Sequence, residues 1–381
     1  MSRERIYLDN NATTQILPEV AETMAATWQT AFANPGSQHS FGRDARPVLD
    51  RCRDTIAGIL GAEPSEVIFT SGGTESINAA IYGLTLGRTG AIALTAGEHP
   101  ATIAGCERAR QAGLKLITLQ VDADGRLLDN QLDDLPWDVL KLVTVILAHN
   151  ETGVIQDLSK LSELCEKQQV PLLLDAVQAV GKIPVNFREL KATALAFGAH
   201  KFHGPRGIGG LLLRRGVPLS PLLDGGHQES GRRAGTEPVP LIAGMKTALE
   251  SFATDQSMHV NHVRDMRDQL QSHLQQHCGP TVVHGMDAPR LPNTLSIAFP
   301  GLNGEAILVN LDLEGVACSL GSTCASGSAE PAPALLAMGC DADVCLSSVR
   351  FSVSRQNTSD EIAEAARRIQ NVIERLRRLP S

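Results

Sequence analysis

The sequence predicts an α/β protein: a large domain with a mostly parallel sheet, joined to a smaller α+β domain. Three observations predict this. Apolar, strand-like runs alternate with helix-like segments through the first two thirds of the 381 residues. Those runs are nearly continuous in apolar character, as strands covered on both faces are. Beyond about residue 240 the alternation gives way to a long helical stretch followed by a few short strands.

Taken in order, the strand candidates are VIFT (67–70), AIALTA (91–96), LKLITLQV (114–121), LKLVTVILA (140–148), VPLLLDA (170–176), ALAF (194–197) and GIGGLLLR (207–214). Segments such as 75–86, 100–112 and 157–169 read as helices between them. In the last third come a helical stretch over 240–277, a strand LSIAF (295–299), a helix near 304–314, a strand VRFSV (349–353) and a final helix from about 359. Thr358 or Ser359, followed by Asp360 and Glu361, supplies the cap for that helix.

Composition narrows the function. The 34 Lys and Arg against 42 Asp and Glu leave a net charge of −8, with no basic patch to propose as a nucleic-acid surface. The arginines of the last helix are interleaved with acids and read as a solvated face. No apolar run approaches membrane-spanning length, and MSRERIYLDNN lacks the apolar centre of a signal peptide. The eight cysteines show no CxxC pair and no zinc-site spacing, so most are expected to be buried thiols in a reducing cytoplasm. Cys324 differs: SLGSTCASGSAEP (319–331) surrounds it with small residues, which reads as a loop holding a thiol out rather than a core packed around one.

Three stretches carry chemistry. In FTSGGTESIN (69–78) a strand runs through Ser71, Gly72, Gly73 and Thr74 into a helix, a turn whose free N–H groups suit a phosphate, or which is simply a turn. In LLLDAVQAVGK (172–182) Asp175 ends an apolar strand, either to pair with a protonated ring nitrogen or to cap a helix. In FGAHKFHGPRGIG (197–209) Lys201 stands between His200 and His203 after another strand, as a Schiff-base lysine or an ordinary surface one. In this order a phosphate cup, a strand-end aspartate and a histidine-flanked lysine form the set that pyridoxal 5′-phosphate requires.

The sequence also resembles the cysteine desulfurases of the NifS/IscS type, in the class V aminotransferase group. The resemblance covers nearly the whole chain: YLDNNATT (7–14), NPGSQHSFG (34–42), TSGGTESIN (70–78), EHPA (98–101), NETG (150–153), DAVQAVGK (175–182), HKFHGPRG (200–207), GGHQESGRRAGTEPVP (225–240), GSTCASGSAEP (321–331) and VRFS (349–352). It implies a fold-type-I pyridoxal-phosphate enzyme with a large domain over 16–250 and a small domain made of 1–15 and 251–381. By the resemblance Cys324 would accept sulfur as a persulfide, Lys201 would carry the cofactor and Asp175 would pair with its ring nitrogen. His99 would stack on the ring and shuttle protons, and Asn150 and Gln178 would bond near the phenolic oxygen. Gly73, Thr74 and His200 would hold the phosphate, with Thr236 reaching it from the partner of a homodimer. Arg350 would grip the carboxylate of L-cysteine, with Asn34 near the same substrate.

The sulfur would go to an iron–sulfur scaffold or another acceptor protein, with Cys324 also a ligand to an iron–sulfur cluster during transfer; no other protein metal site is expected. The sequence departs from the family pattern in places. Gly198 stands where a serine is usual and offers the phosphate no hydroxyl; His149 precedes Asn150 where a second asparagine is common; Thr323 replaces an alanine; and VSRQNT follows the VRFS strand. Other functions on this scaffold are a selenocysteine lyase, an aminotransferase that would not need Cys324, and a sulfur carrier with degenerate catalysis.

Overall fold

The structure is a computed structural model and describes residues 4–320 and 332–378. All seven strands expected in the large domain are present and form one sheet. Across it the order is Val67–Thr70, Gly209–Leu213, Ala194–Gly198, Leu172–Asp175, Leu140–Ile146, Ala91–Thr95 and Lys115–Leu119. Only Gly209–Leu213 runs against the others. The continuous apolar runs have the cause inferred from them: Leu172 and Leu174 enter one core, Leu173 the other. Successive side chains point to opposite faces, and both faces are covered.

One core holds the helices Pro18–Thr30, Ser40–Ile59 and Val239–Thr254, through residues such as Val20, Leu49, Ile56 and Leu249. The other holds Gly73–Thr85 and Pro100–Gln111, through Ile77, Ile81 and Cys106. The helical stretch over 240–277 is two helices, because the chain breaks at Asp255 (φ −127°, ψ 39°). The first packs on the helices Pro18–Thr30 and Ser40–Ile59 within the large domain's core. The second, Gln256–His277, packs on the last helix, Ser359–Arg378.

A third core gathers Ile6 and Leu8 with residues from Val263 to Ile373. Its antiparallel sheet has the order Ser348–Ser352, Thr294–Ala298, Val282–Val283. The N-terminal pair Ile6–Tyr7 adds in parallel to Val316–Ala317. Residues 9–14 then run across to the carboxyl ends of the large sheet, where Thr14 N–H bonds the carbonyl of His200. In an open α/β sheet those strand ends are where ligands bind. No helix of the described residues is long and apolar enough to cross a membrane. Five of the seven described cysteines are buried.

The last helix is capped by Thr358: its hydroxyl accepts from Glu361 N–H (3.2 Å), and Glu361 Oε2 accepts from Thr358 N–H (2.8 Å). Thr358→Ala is expected to lower unfolding stability by about 1 kcal/mol, read as a shift of the urea midpoint at constant slope.

Candidate active site

Every chemistry-bearing residue of the large sheet sits just beyond a strand's carboxyl end. After Thr70 the chain turns through Gly72 (φ 155°) into the helix Gly73–Thr85. A Cβ on Gly73 would stand 2.4 Å from Val177 Cγ2, so only glycine lets this helix start come so close to the turn after Asp175. The turn is held from outside: Glu75 Oε2 accepts from Ser71 N–H (2.7 Å), and Arg233 pairs with Glu75 (2.9 Å). The first-turn N–H groups therefore face the strand ends, where an anion is favoured.

A cavity of about 560 Å³ opens there. Of the residues expected to form the site, Gly73, Thr74, His99, Asn150, Asp175, Gln178, His200, Lys201 and Arg350 all line it. Asn34 does not: its side-chain oxygen accepts from Gly36 N–H (2.8 Å) within its own exposed turn. Thr236 is also away from this cavity, exposed on the 225–237 loop. Cys324 lies outside the described residues, while Ser319, five residues before it, lines the cavity.

The electrostatics follow from burial. Lys201 Nζ donates to the carbonyls of Asn11 (2.6 Å) and Ala12 (2.9 Å). Burial and the nearby Arg350 bring its pKa down to about 8. Asp175 is buried, which raises its pKa to about 6, against the opposing N–H bond from Val177 (3.0 Å) and the charge of Lys201. Among the described residues Asp175 forms no ion pair. The N–H bond from Val177 is the capping role open at the sequence level, and it leaves the second carboxylate oxygen for another donor.

His99 caps the helix Pro100–Gln111, its Nδ1 accepting from Ala101 N–H (3.1 Å). In the neutral ring the proton therefore sits on Nε2. Burial lowers its pKa, with Lys201 adding to the effect. Burial likewise lowers His200 to about 4. Arg350 is fixed by Asp9 (2.8 Å) and by the carbonyl of Asn150 (3.0 Å), while its buried Nε has no partner.

Sequence reasoning assigned no role to three residues that the structure places at the heart of this network. Asn11 accepts from Lys201 and Gln178 through its main-chain oxygen. Its side-chain oxygen accepts from Lys182 (2.7 Å) and Asn293 (2.9 Å). Lys182 is buried behind the cavity. Glu98, beside His99, is wholly buried; Oε1 accepts from Ile146 N–H (2.7 Å) and the Thr95 hydroxyl, and Oε2 has no partner. Asn11 and Glu98 fall inside the motifs YLDNNATT and EHPA, and a lysine seven residues past a strand-end aspartate is the signal for Lys182.

The residues fit pyridoxal phosphate on this chain's own terms. A helix start aims its N–H groups at the cavity. A buried carboxylate forms no ion pair among the described residues, the partner a pyridinium would supply. The site also holds more buried cations than anions. At Gly198 a Cβ would come within 3.3 Å of Gly73 N, so the position usually held by serine does face the cup.

The class-V aminotransferase family profile matches residues 6–364. A cysteine desulfurase of Enterobacter agglomerans is 41% identical over 99% of this chain and 94% of its own. A solved NifS-like protein superposes with a TM-score of 0.91 at 33% identity, over 98% of this chain and all of that one. The structure of SspA in complex with cysteine matches 93% of this chain and all of its own, with a TM-score of 0.81 at 28% identity.

Burial pushes Glu98 up to about 8, with Asp175 adding to the rise. The folded protein keeps this proton while the unfolded chain, ionising near 4.5, has lost it. Stability from this group is therefore full below about pH 4.5 and is lost as pH rises towards 8. Glu98→Gln is expected to flatten that decline, seen in urea unfolding followed from pH 5 to 9.

Proposed function

The chain belongs to the class-V aminotransferase family, and from that premise we propose that it is a cysteine desulfurase dependent on pyridoxal 5′-phosphate. The carrying observation is the single cavity that gathers Lys201, Asp175, His99, Arg350 and the helix start at Gly73–Thr74, with Ser319 in its wall. When bound, the cofactor supplies an electron sink for the bonds around the substrate's α-carbon.

The protein's own groups then have definable tasks. Gly73 and Thr74 N–H groups, the Thr74 hydroxyl and His200 would hold the phosphate. Asp175 would receive the ring nitrogen's proton in a hydrogen bond, which brings its pKa back down. Asn150 and Gln178 would bond the phenolic oxygen. Arg350, held rigid by Asp9, would meet the substrate carboxylate. Lys201 has the pKa for moving a proton near neutral pH, and two carbonyls keep its amine at the cavity. His99 presents Nε2–H as a second proton donor.

In the net reaction the Cβ–S bond of L-cysteine breaks and an S–S bond to Cys324 forms. Cys324 becomes a persulfide, and the carbon skeleton leaves as L-alanine carrying the hydrogen that replaces sulfur. The persulfide sulfur passes to an iron–sulfur scaffold or related acceptor. We place the large domain at 16–250 and the small domain at 1–15 and 251–381; the separate core around Ile6, Leu8 and Val263–Ile373 supports this.

We also assign a homodimer in which Thr236 serves the partner's phosphate site. Its exposed loop is anchored at its start, where Arg53 forks onto Glu229 (2.7 and 2.8 Å). Asn34, on an equally exposed turn, is assigned to substrate in the assembled enzyme.

With L-cysteine and dithiothreitol, the protein is expected to release alanine and sulfide in equal amounts, and Cys324→Ala almost none of either. Product persisting in the variant would remove Cys324 as acceptor. Selenide release unaffected by the same substitution would favour a selenocysteine lyase. Lys201→Ala is expected to lose the visible absorption of covalently held cofactor and about 10²- to 10⁴-fold in turnover. An unchanged spectrum would move the covalent attachment elsewhere.

A further inference from the structure

Lys182 is the buried lysine that the proposed chemistry leaves unused. It is 9% exposed and does not line the active-site cavity. Its amine donates to two neutral oxygens, Asn11 Oδ1 (2.7 Å) and Gln178 Oε1. The charged groups that bear on it are Lys201 and Arg350, both cations. No ion pair joins it to an acid among the described residues.

We propose that Lys182 is a positioning residue that fixes which end of the Gln178 amide faces the cofactor. A carboxamide has one acceptor atom and one donor atom. A lysine ammonium has three N–H groups to give and no lone pair with which to accept. It therefore draws Oε1 to itself and turns Nε2 the other way. Nε2 gives one hydrogen to the Asn11 carbonyl (2.9 Å), and its second hydrogen is left for the cavity that Gln178 lines. A donor in that place suits an anionic phenolic oxygen, whereas the opposite orientation would set oxygen against oxygen.

The same amine orients Asn11. With Oδ1 taken by Lys182 and Asn293, Asn11 Nδ2 donates to Thr294 Oγ1 (2.9 Å) and the carbonyl of Asn150 (3.1 Å). Lys182 thus orients the Gln178 amide directly and, through Asn11, ties the main chain at Asn150, without touching the cofactor. Burial and the neighbouring cations hold its pKa well below the usual lysine range, so the orientation is enforced most strongly at the lower pH where the ammonium forms.

This rests on the pyridoxal phosphate reading, and the test separates the two. Wild type, K182M, Q178A and the double variant would be titrated with pyridoxal 5′-phosphate, following the visible band of bound cofactor against pH. K182M is expected to raise the dissociation constant about tenfold and to shift the pH midpoint of that band. Because Lys182 acts through Gln178, adding Q178A to K182M should change affinity less than twofold.

Multiplying effects in the double variant, or a K182M spectrum and affinity equal to wild type, would overturn the proposal. A wild-type protein that binds no pyridoxal phosphate would instead overturn the functional reading beneath it. Circular dichroism and the urea midpoint identify a variant that fails to fold. In that case K182Q, whose shorter amide donor keeps the position polar, is read by the same criteria.

Discussion

The 2.6 Å bond from Lys201 Nζ to the main-chain carbonyl of Asn11 is the contact on which the site depends. A main-chain carbonyl neither titrates nor rotates to another partner, so it fixes the amine while leaving it free to change charge. The segment supplying that carbonyl begins in the small sheet with Ile6–Tyr7 and ends against the large one at Thr14. Between them, Asp9 holds Arg350, Asn11 holds both lysines, and Thr13 meets His200 Nδ1 (3.2 Å). The segment is a strap: one short stretch of chain sets the two cores and the reactive side chains in register.

Charge explains why such a strap is needed. Lys182, Lys201 and Arg350 are gathered in a poorly solvated cleft, with Asp9 and Asp175 as counterweights and Glu98 holding its proton up to about pH 8. Burying like charges together is unfavourable unless dipoles or ligand charges offset them. Here neutral oxygens of Asn11, Ala12 and Gln178 supply the dipoles. The remaining excess of positive potential favours anions, while the lowered lysine pKa values come first from burial and then from the neighbouring cations. Attraction for anions and readiness to move a proton thus both follow from placing these cations in one poorly solvated cleft.

The sheet was legible because each of its strands is a local apolar run, and Gly73, Asp175 and Lys201 were legible because each directly follows one. Glu98, Asn11 and Lys182 were not, for a related reason. Asn11 gains its role from Lys201 and Asn293, and Lys182 from Asn11, partners separated by at least 171 positions along the chain. Glu98 is adjacent to His99, yet its burial against Ile146 is set by strand order. The break at Asp255 was missed because apolar spacing continues across it while the helices on either side enter different cores.

The flanks of the cysteine segment carry the argument one step further. Ser319 exchanges main-chain hydrogen bonds with Arg350 (2.7 and 3.1 Å). On the far side, a Cβ on Gly97 would meet Ala334 Cα at 2.9 Å, so the short helix Pro333–Ala337 rests on the turn leading to Glu98 and His99. The described chain on either side of 321–331 is therefore anchored, Ser319 to the strand of Arg350 and Ala334 to the turn before Glu98 and His99. Both flanks of the cysteine segment are thus fixed by contacts that also fix cavity-lining chain, Arg350 on one side and the turn into His99 on the other, although that cavity is assembled mainly by the large sheet.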